Sequence, residues 1–115
     1  SLSMFATALL SAAALVAETE AGILVLTAYN FSSAVEADGA KLLVQWFAPW
    51  CGHCKRLAPE YERAASLVAE AAQQDPTVVA RLAMVDATAE IALADSHGVR
   101  NYPTLHWFHR GKAAE

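Results

Sequence analysis

The stretch that decides the fold is Leu42-Leu-Val-Gln-Trp-Phe47, followed by Ala48-Pro49-Trp50-Cys51-Gly52-His53-Cys54. The first six residues are apolar β-formers interrupted once, by Gln45. A run of that kind reads as a strand buried on both faces, as in a parallel sheet. Pro49 to Gly52 marks a turn. From about Cys51 to Gln74, Leu57, Tyr61, Ala64, Ala65, Val68 and Ala72 recur at three- and four-residue spacing, which predicts a long helix with one apolar face. Pro59 falls inside it. Proline removes a backbone hydrogen bond and crowds the preceding turn, so a kink is expected there.

Further from this unit the pattern continues. Ile23–Leu26 reads as a short buried strand, and Asn30 or Ser32 caps a short helix through Asp38 that Gly39 ends. Val78–Val85 is a third strand; Thr88 caps a helix to about His97, with Gly98 as its stop. Thr104–His109 is a fourth strand, and Arg110-Gly111 begins a turn. Strands alternating with helices imply an α/β fold of three layers around a mostly parallel sheet. Functional sites in such sheets lie at the carboxyl ends of the strands, where loops turn into helices. Cys51 stands at such a place.

The 115 residues suit one domain, and 56% hydrophobic content supplies its core. The net charge is -4, and no basic run interleaved with aromatics occurs, which argues against nucleic acid as a partner. The two cysteines close too small a loop to staple a fold. They either do chemistry or form half of a metal site. Structural zinc takes four ligands, and His97, His106 and His109 lie far along the chain without a tight pair spacing. Redox chemistry is the better reading, with no metal and no cofactor required.

Leu2 to Ala17 carries no charge and is apolar and small, with Ala12 and Ala14 in an A-x-A arrangement and Glu18-Thr19-Glu20 following. This pattern predicts a secretory signal over 1–17 ahead of a domain over 18–115. The run is shorter than the roughly 20 residues that span a bilayer, so no membrane anchor is expected.

A Cys-x-x-Cys pair opening a helix has a physical consequence. The first cysteine meets unpaired N–H groups and the positive end of the helix dipole. Its thiolate is stabilised, so Cys51 should titrate below a free thiol and attack, while Cys54, one turn further in and more buried, resolves the mixed disulfide. Gly52 and His53 separate them. An imidazole between the cysteines favours the thiolate over the disulfide, which raises the reduction potential. Lys55 and Arg56 read as solvated, with at most a small effect on Cys51.

Trp46-Phe-Ala-Pro-Trp-Cys-Gly-His-Cys-Lys-Arg-Leu-Ala-Pro59 resembles the active-site segment of a protein disulfide isomerase catalytic domain, which has the thioredoxin fold. Val85-Asp-Ala-Thr88 and Gly98-Val-Arg-Asn-Tyr-Pro-Thr104 are similar to that family's later landmarks. The resemblance covers about Ile23 to Lys112. It implies that Pro103 is a cis-proline facing the dithiol and that the backbone of Tyr102 offers strand-like hydrogen bonds to an extended substrate. Trp50, beside Cys51, would shape the substrate surface.

Three departures from the family are expected to matter. Its buried carboxylate, six residues before the first cysteine, is Gln45 here, and its buried lysine partner is Met84. Losing both charges is compatible with folding, whereas losing one would strand the other. The consequence expected is slower proton transfer at Cys54. The fold also continues in the family with one more strand and a helix. Without them, Thr104–His109 would be an exposed edge, and a mobile arginine and any retention signal would fall in that missing part.

The reading is therefore an enzyme of the endoplasmic reticulum lumen that forms and rearranges disulfides. Its partners would be unfolded or partly oxidised secretory proteins and an upstream thiol oxidase. The alternatives are a chaperone-like module that holds unfolded chains with weak redox activity, and a cytosolic thioredoxin-like reductant. The signal-like start and His53 both oppose the last.

Overall fold

A strand covered on both faces is apolar at most of its buried positions, and Lys41–Phe47 (β2) sorts its side chains accordingly, Gln45 excepted. In the computed structural model, which describes residues 16–113 apart from Asp38, Leu42, Val44 and Trp46 enter one core cluster and Leu43 the other. The first cluster packs Phe31 and Val35 of α1 (Phe31–Glu36) and Ala94 of α3 (Ile91–Ser96) onto the sheet. The second packs Tyr61 and Ala65 of α2 (Gly52–Gln74) onto Ile23 and Leu82. The result is the three-layer α/β arrangement expected, with α1 and α3 on one side and α2 on the other.

The sheet has five strands in the order β1-β3-β2-β4-β5. β1 (Leu24–Val25) and β2 both run parallel to β3 (Ala80–Asp86). β4 (Thr104–His109) runs antiparallel to β2, and β5 (Lys112–Ala113) antiparallel to β4. The sheet is thus mixed, its parallel character ending at β2. β4 is not a bare edge either, because Phe108 and His109 pair with Ala113 and Lys112 across the Arg110-Gly111 turn. Both turn residues have positive φ, 56° and 78°.

Local capping differs from expectation in two places. Thr88 does not cap α3; Glu90 holds that position. The Asp86 carboxylate instead accepts from the Thr88 N–H, the Thr88 hydroxyl and the Ala89 N–H, closing a turn at the end of β3. Asn30 does precede α1, but its side chain accepts from the Thr27 N–H at 2.8 Å rather than capping the helix. Gly98, with φ 69°, ends α3 as expected. α2 runs as one 23-residue helix through Pro59.

Most of the expected 1–17 signal lies outside the described residues. Val16 already packs against the first core cluster, and the Ala17 carbonyl accepts from the Val25 N–H at 2.8 Å. Among the described residues no helix is long and apolar enough to cross a membrane.

Candidate active site

β2 delivers the chain to the sheet's end at Phe47, whose carbonyl accepts from the Ala87 N–H at 2.8 Å. The Ala48-Pro49-Trp50 turn then closes with the Cys51 N–H donating to the Ala48 carbonyl at 3.1 Å. Cys51 adopts extended backbone angles (φ -76°, ψ 117°) and is the N-cap of α2. Its Sγ accepts from the backbone N–H of Cys54 at 3.1 Å. The thiol therefore does what a serine or aspartate does at other helix starts: it satisfies an orphan donor at the positive end of the dipole.

Both cysteines carry free thiols. They are 5% and 6% exposed, so surface area does not rank Cys54 as the deeper one, contrary to expectation. Their electrostatics do separate them. Burial pushes the Cys51 thiol up, but it is outweighed by the Cys54 thiol, the backbone N–H groups of Cys54 and His53 and the charge of Arg56, so Cys51 titrates below the ordinary 9.0. Cys54 is pushed above 9.0 by burial first and by the Cys51 thiol next, which the Ala48 backbone only partly offsets. One thiol is prepared to attack and the other holds its proton.

Of the residues singled out in the sequence, several converge. Cys51, Cys54 and Ala48 form a small buried cluster on which Tyr102 packs. The exposed Trp50 ring meets Tyr102 edge-on, centroids 5.8 Å apart, joining the turn before the dithiol to the loop before β4. The Tyr102–Pro103 bond is cis, as the family resemblance implied. Gln45 is buried and in direct register with Met84 on β3. Both line a cavity of about 200 Å³ that includes Cys54. The two substituted positions are therefore neighbours beside the resolving thiol.

Other residues lie apart. Gly52 and His53 are exposed on the first turn of α2. His97 and His106 surround Trp46 instead of approaching the cysteines. The role of Arg56 was missed in the sequence: its Nη2 donates to His53 Nδ1 at 2.8 Å. Its i,i+3 spacing from His53 was the available signal. Tyr61, seen only as an apolar helix position, places its hydroxyl 2.7 Å from the carbonyls of both Leu43 and Ala83. It ties α2, and so the dithiol, to β2 and β3.

A family model described as Thioredoxin matches residues 22–115. Protein disulfide-isomerase of Gallus gallus is 52% identical over 98 residues, which are 84% of this chain and 18% of that protein. Protein disulfide-isomerase A4 of Homo sapiens is 51% identical over 89 residues, 77% of this chain and 13% of that protein. The chain thus spans less than a fifth of the length of these relatives. Among solved structures, the first thioredoxin domain of mouse Protein disulfide-isomerase A4 superposes with a TM-score of 0.72 at 37% identity, covering 87% of this chain and 66% of that one. A mutant thioredoxin from Halobacterium salinarum superposes with a TM-score of 0.66 at 27% identity, covering 86% and 79%.

Proposed function

The chain belongs to the thioredoxin family, and from that premise we propose that it is a thiol–disulfide oxidoreductase that forms and rearranges disulfides in secretory-pathway proteins through Cys51 and Cys54. The observation that carries the reading is the Cys54 N–H donating to Cys51 Sγ at 3.1 Å at the start of α2. It supports Cys51 as the attacking sulfur, because a donor aimed at Sγ stabilises the thiolate when it forms.

Reduction of a substrate then takes two exchanges. The Cys51 thiolate attacks one sulfur of a substrate disulfide, forming a mixed disulfide and expelling the other substrate sulfur as thiolate. Cys54 loses its proton, attacks Cys51 Sγ and expels the second substrate thiolate. The protein ends as the Cys51–Cys54 disulfide and the substrate as a dithiol. Run backwards, the same steps oxidise a substrate. If the expelled substrate thiolate instead attacks a different substrate disulfide, the outcome is isomerisation with no net redox change.

Tyr102 packs on the dithiol cluster and against Trp50, and together with Pro103 they would form the surface on which an extended substrate segment lies, paired through the Tyr102 backbone. His53 and the exposed first turn favour the thiolate, which suits an oxidant or isomerase more than a reductant. The apolar run before Glu18 supports entry into the secretory pathway, and the likeness to protein disulfide-isomerases supports residence in the endoplasmic reticulum lumen. There an upstream thiol oxidase would regenerate the disulfide. The test is recovery of ribonuclease activity from its scrambled form in a glutathione buffer. Recovery by the chain and its loss in Cys51→Ala is expected; a Cys51→Ala variant as active as the parent would overturn the proposal.

A further inference from the structure

We propose that Arg56 is a positioning residue of the dithiol: it clamps His53 across the first turn of α2 and lays a fixed positive charge over the two residues that separate the cysteines. The inference rests on the reading of Cys51 and Cys54 as an exchanging pair and deepens it by naming what tunes that pair.

Three observations meet at Arg56. Its Nη2 lies 2.8 Å from His53 Nδ1. Its Nη1 lies over Gly52, where a Cβ would stand only 3.6 Å away. The guanidinium therefore spans both residues between the cysteines. Its charge is also the least of the influences that lower the Cys51 thiol, after the Cys54 thiol and the backbone N–H groups of Cys54 and His53.

The chemistry of the pair fixes what His53 can do. A guanidinium has five N–H donors and no acceptor. His53 Nδ1 must therefore accept, which leaves the imidazole hydrogen on Nε2. The pairing thus fixes which ring nitrogen of the imidazole accepts. The permanent charge at the site is then the guanidinium, which stays charged throughout the pH range of thiol chemistry. His53 offers Nε2–H as a donor towards solvent or substrate.

The experiment compares the parent chain with Arg56→Gln and Arg56→Lys, all exposed-site changes. Two readouts are used: the pH dependence of Cys51 alkylation by iodoacetamide in the reduced protein, and ¹⁵N NMR of the His53 ring. In the parent, the ring spectrum should show one tautomer, Nε2–H. Arg56→Gln should raise the alkylation midpoint by about 0.5 pH unit, the size of a solvent-screened charge pair, and mix the tautomers. Arg56→Lys should keep most of the midpoint and rescue the tautomer only in part, because an ammonium lacks the planar fork. An unchanged midpoint in Arg56→Gln, or mixed tautomers in the parent, would overturn the proposal. Neither readout needs turnover. A chain that shows both signatures yet fails to restore scrambled ribonuclease would sink the enzymatic reading and sustain this one.

Discussion

Gln45 on β2 stands in register with Met84 on β3, and both line the cavity that includes Cys54. Among the described residues no carboxyl group lines that cavity. The resolving thiol, held protonated by burial and by the Cys51 thiol, must therefore pass its proton without a buried carboxylate beside it. The neutral pair avoids the several kcal/mol that one unpartnered buried charge costs, and gives up a local proton acceptor to do so.

The first prediction follows from that exchange. Gln45→Glu places a titratable group on the wall shared with Cys54. Resolution of a mixed disulfide at pH 7 should quicken by about tenfold or more, at the low end of general acid–base effects. A stopped-flow measurement of mixed-disulfide escape gives the number. A variant no faster than the parent would remove proton transfer at Cys54 as the slow step. Burial raises the new carboxyl's pKa, opposed only by the solvent-exposed Lys55 on the same cavity, so with burial dominant the folded state keeps a proton that the unfolded state loses. Stability of this variant should then fall as pH rises above about 4.3. Adding Met84→Lys should restore it.

The two thiols should titrate on opposite sides of 9.0, Cys51 below and Cys54 above. Alkylation followed by mass spectrometry should label Cys51 first at every pH up to 9. The signs carry over to stability. Cys51, depressed in the folded state, stabilises the reduced protein as pH rises towards 9.0, and that contribution is lost on acidification. Cys54, raised in the folded state, works against the reduced form above 9.0. Melting of the reduced minus the oxidised protein should therefore pass through a maximum near that pH. A monotonic difference would contradict the assignment. Cys54→Ser should accumulate the mixed disulfide, whereas Cys51→Ser should form none.

Tyr61 offers a test in which stability and chemistry part company. Its buried hydroxyl sits 2.7 Å from the carbonyls of Leu43 and Ala83, and burial raises its pKa far above the ordinary tyrosine value. Tyr61→Phe removes the single hydroxyl hydrogen shared between these two carbonyls and should cost about 1–3 kcal/mol, read by urea unfolding. The alkylation midpoint of Cys51 should stay where it is. If it moves, α2 is no longer seated as described.

How far the residues disclosed this arrangement varies from element to element. The Leu42–Phe47 run announced a doubly covered strand because both faces of β2 are buried, and Cys51 lies at its carboxyl end as that pattern required. The direction of β4 was not legible. Thr104–His109 alternates only weakly, with Leu105 and Trp107 partly exposed, and nothing local distinguishes a parallel from an antiparallel partner. Thr88 misled because a preferred capping residue was outcompeted by Asp86, whose carboxylate reaches three donors in the same turn. In the site, the Cys-x-x-Cys spacing at a helix start pointed to redox chemistry, the Trp50-to-Cys54 segment made that reading specific, and the family resemblance added the cis-proline and the two substituted positions. The pairing of Arg56 with His53 escaped because Arg56 is solvated, as read, and only side-chain geometry shows that it also reaches His53.

The last prediction concerns a contact remote from the dithiol. The fully buried Trp46 donates through Nε1 to His106 Nδ1 at 3.1 Å, while His97 lies against the same indole ring. Burial first, and the neighbouring His97 next, lower the His106 pKa below the ordinary 6.5. The unfolded chain then takes up a proton near 6.5 that the folded chain refuses. Stability contributed by neutral His106 is complete above 6.5 and is lost as pH falls through its lower folded value. Melting temperature should therefore decline on acidification from pH 7 to 5, accompanied by a change in Trp46 emission as Nδ1 ceases to accept. His106→Gln keeps a hydrogen-bond acceptor but cannot titrate, so its melting temperature should lose much of that slope. An equal slope in both proteins would mean that His106 does not sense pH. His106→Leu should be the less stable variant at neutral pH, by about 1–3 kcal/mol, because it leaves a buried indole N–H without a partner.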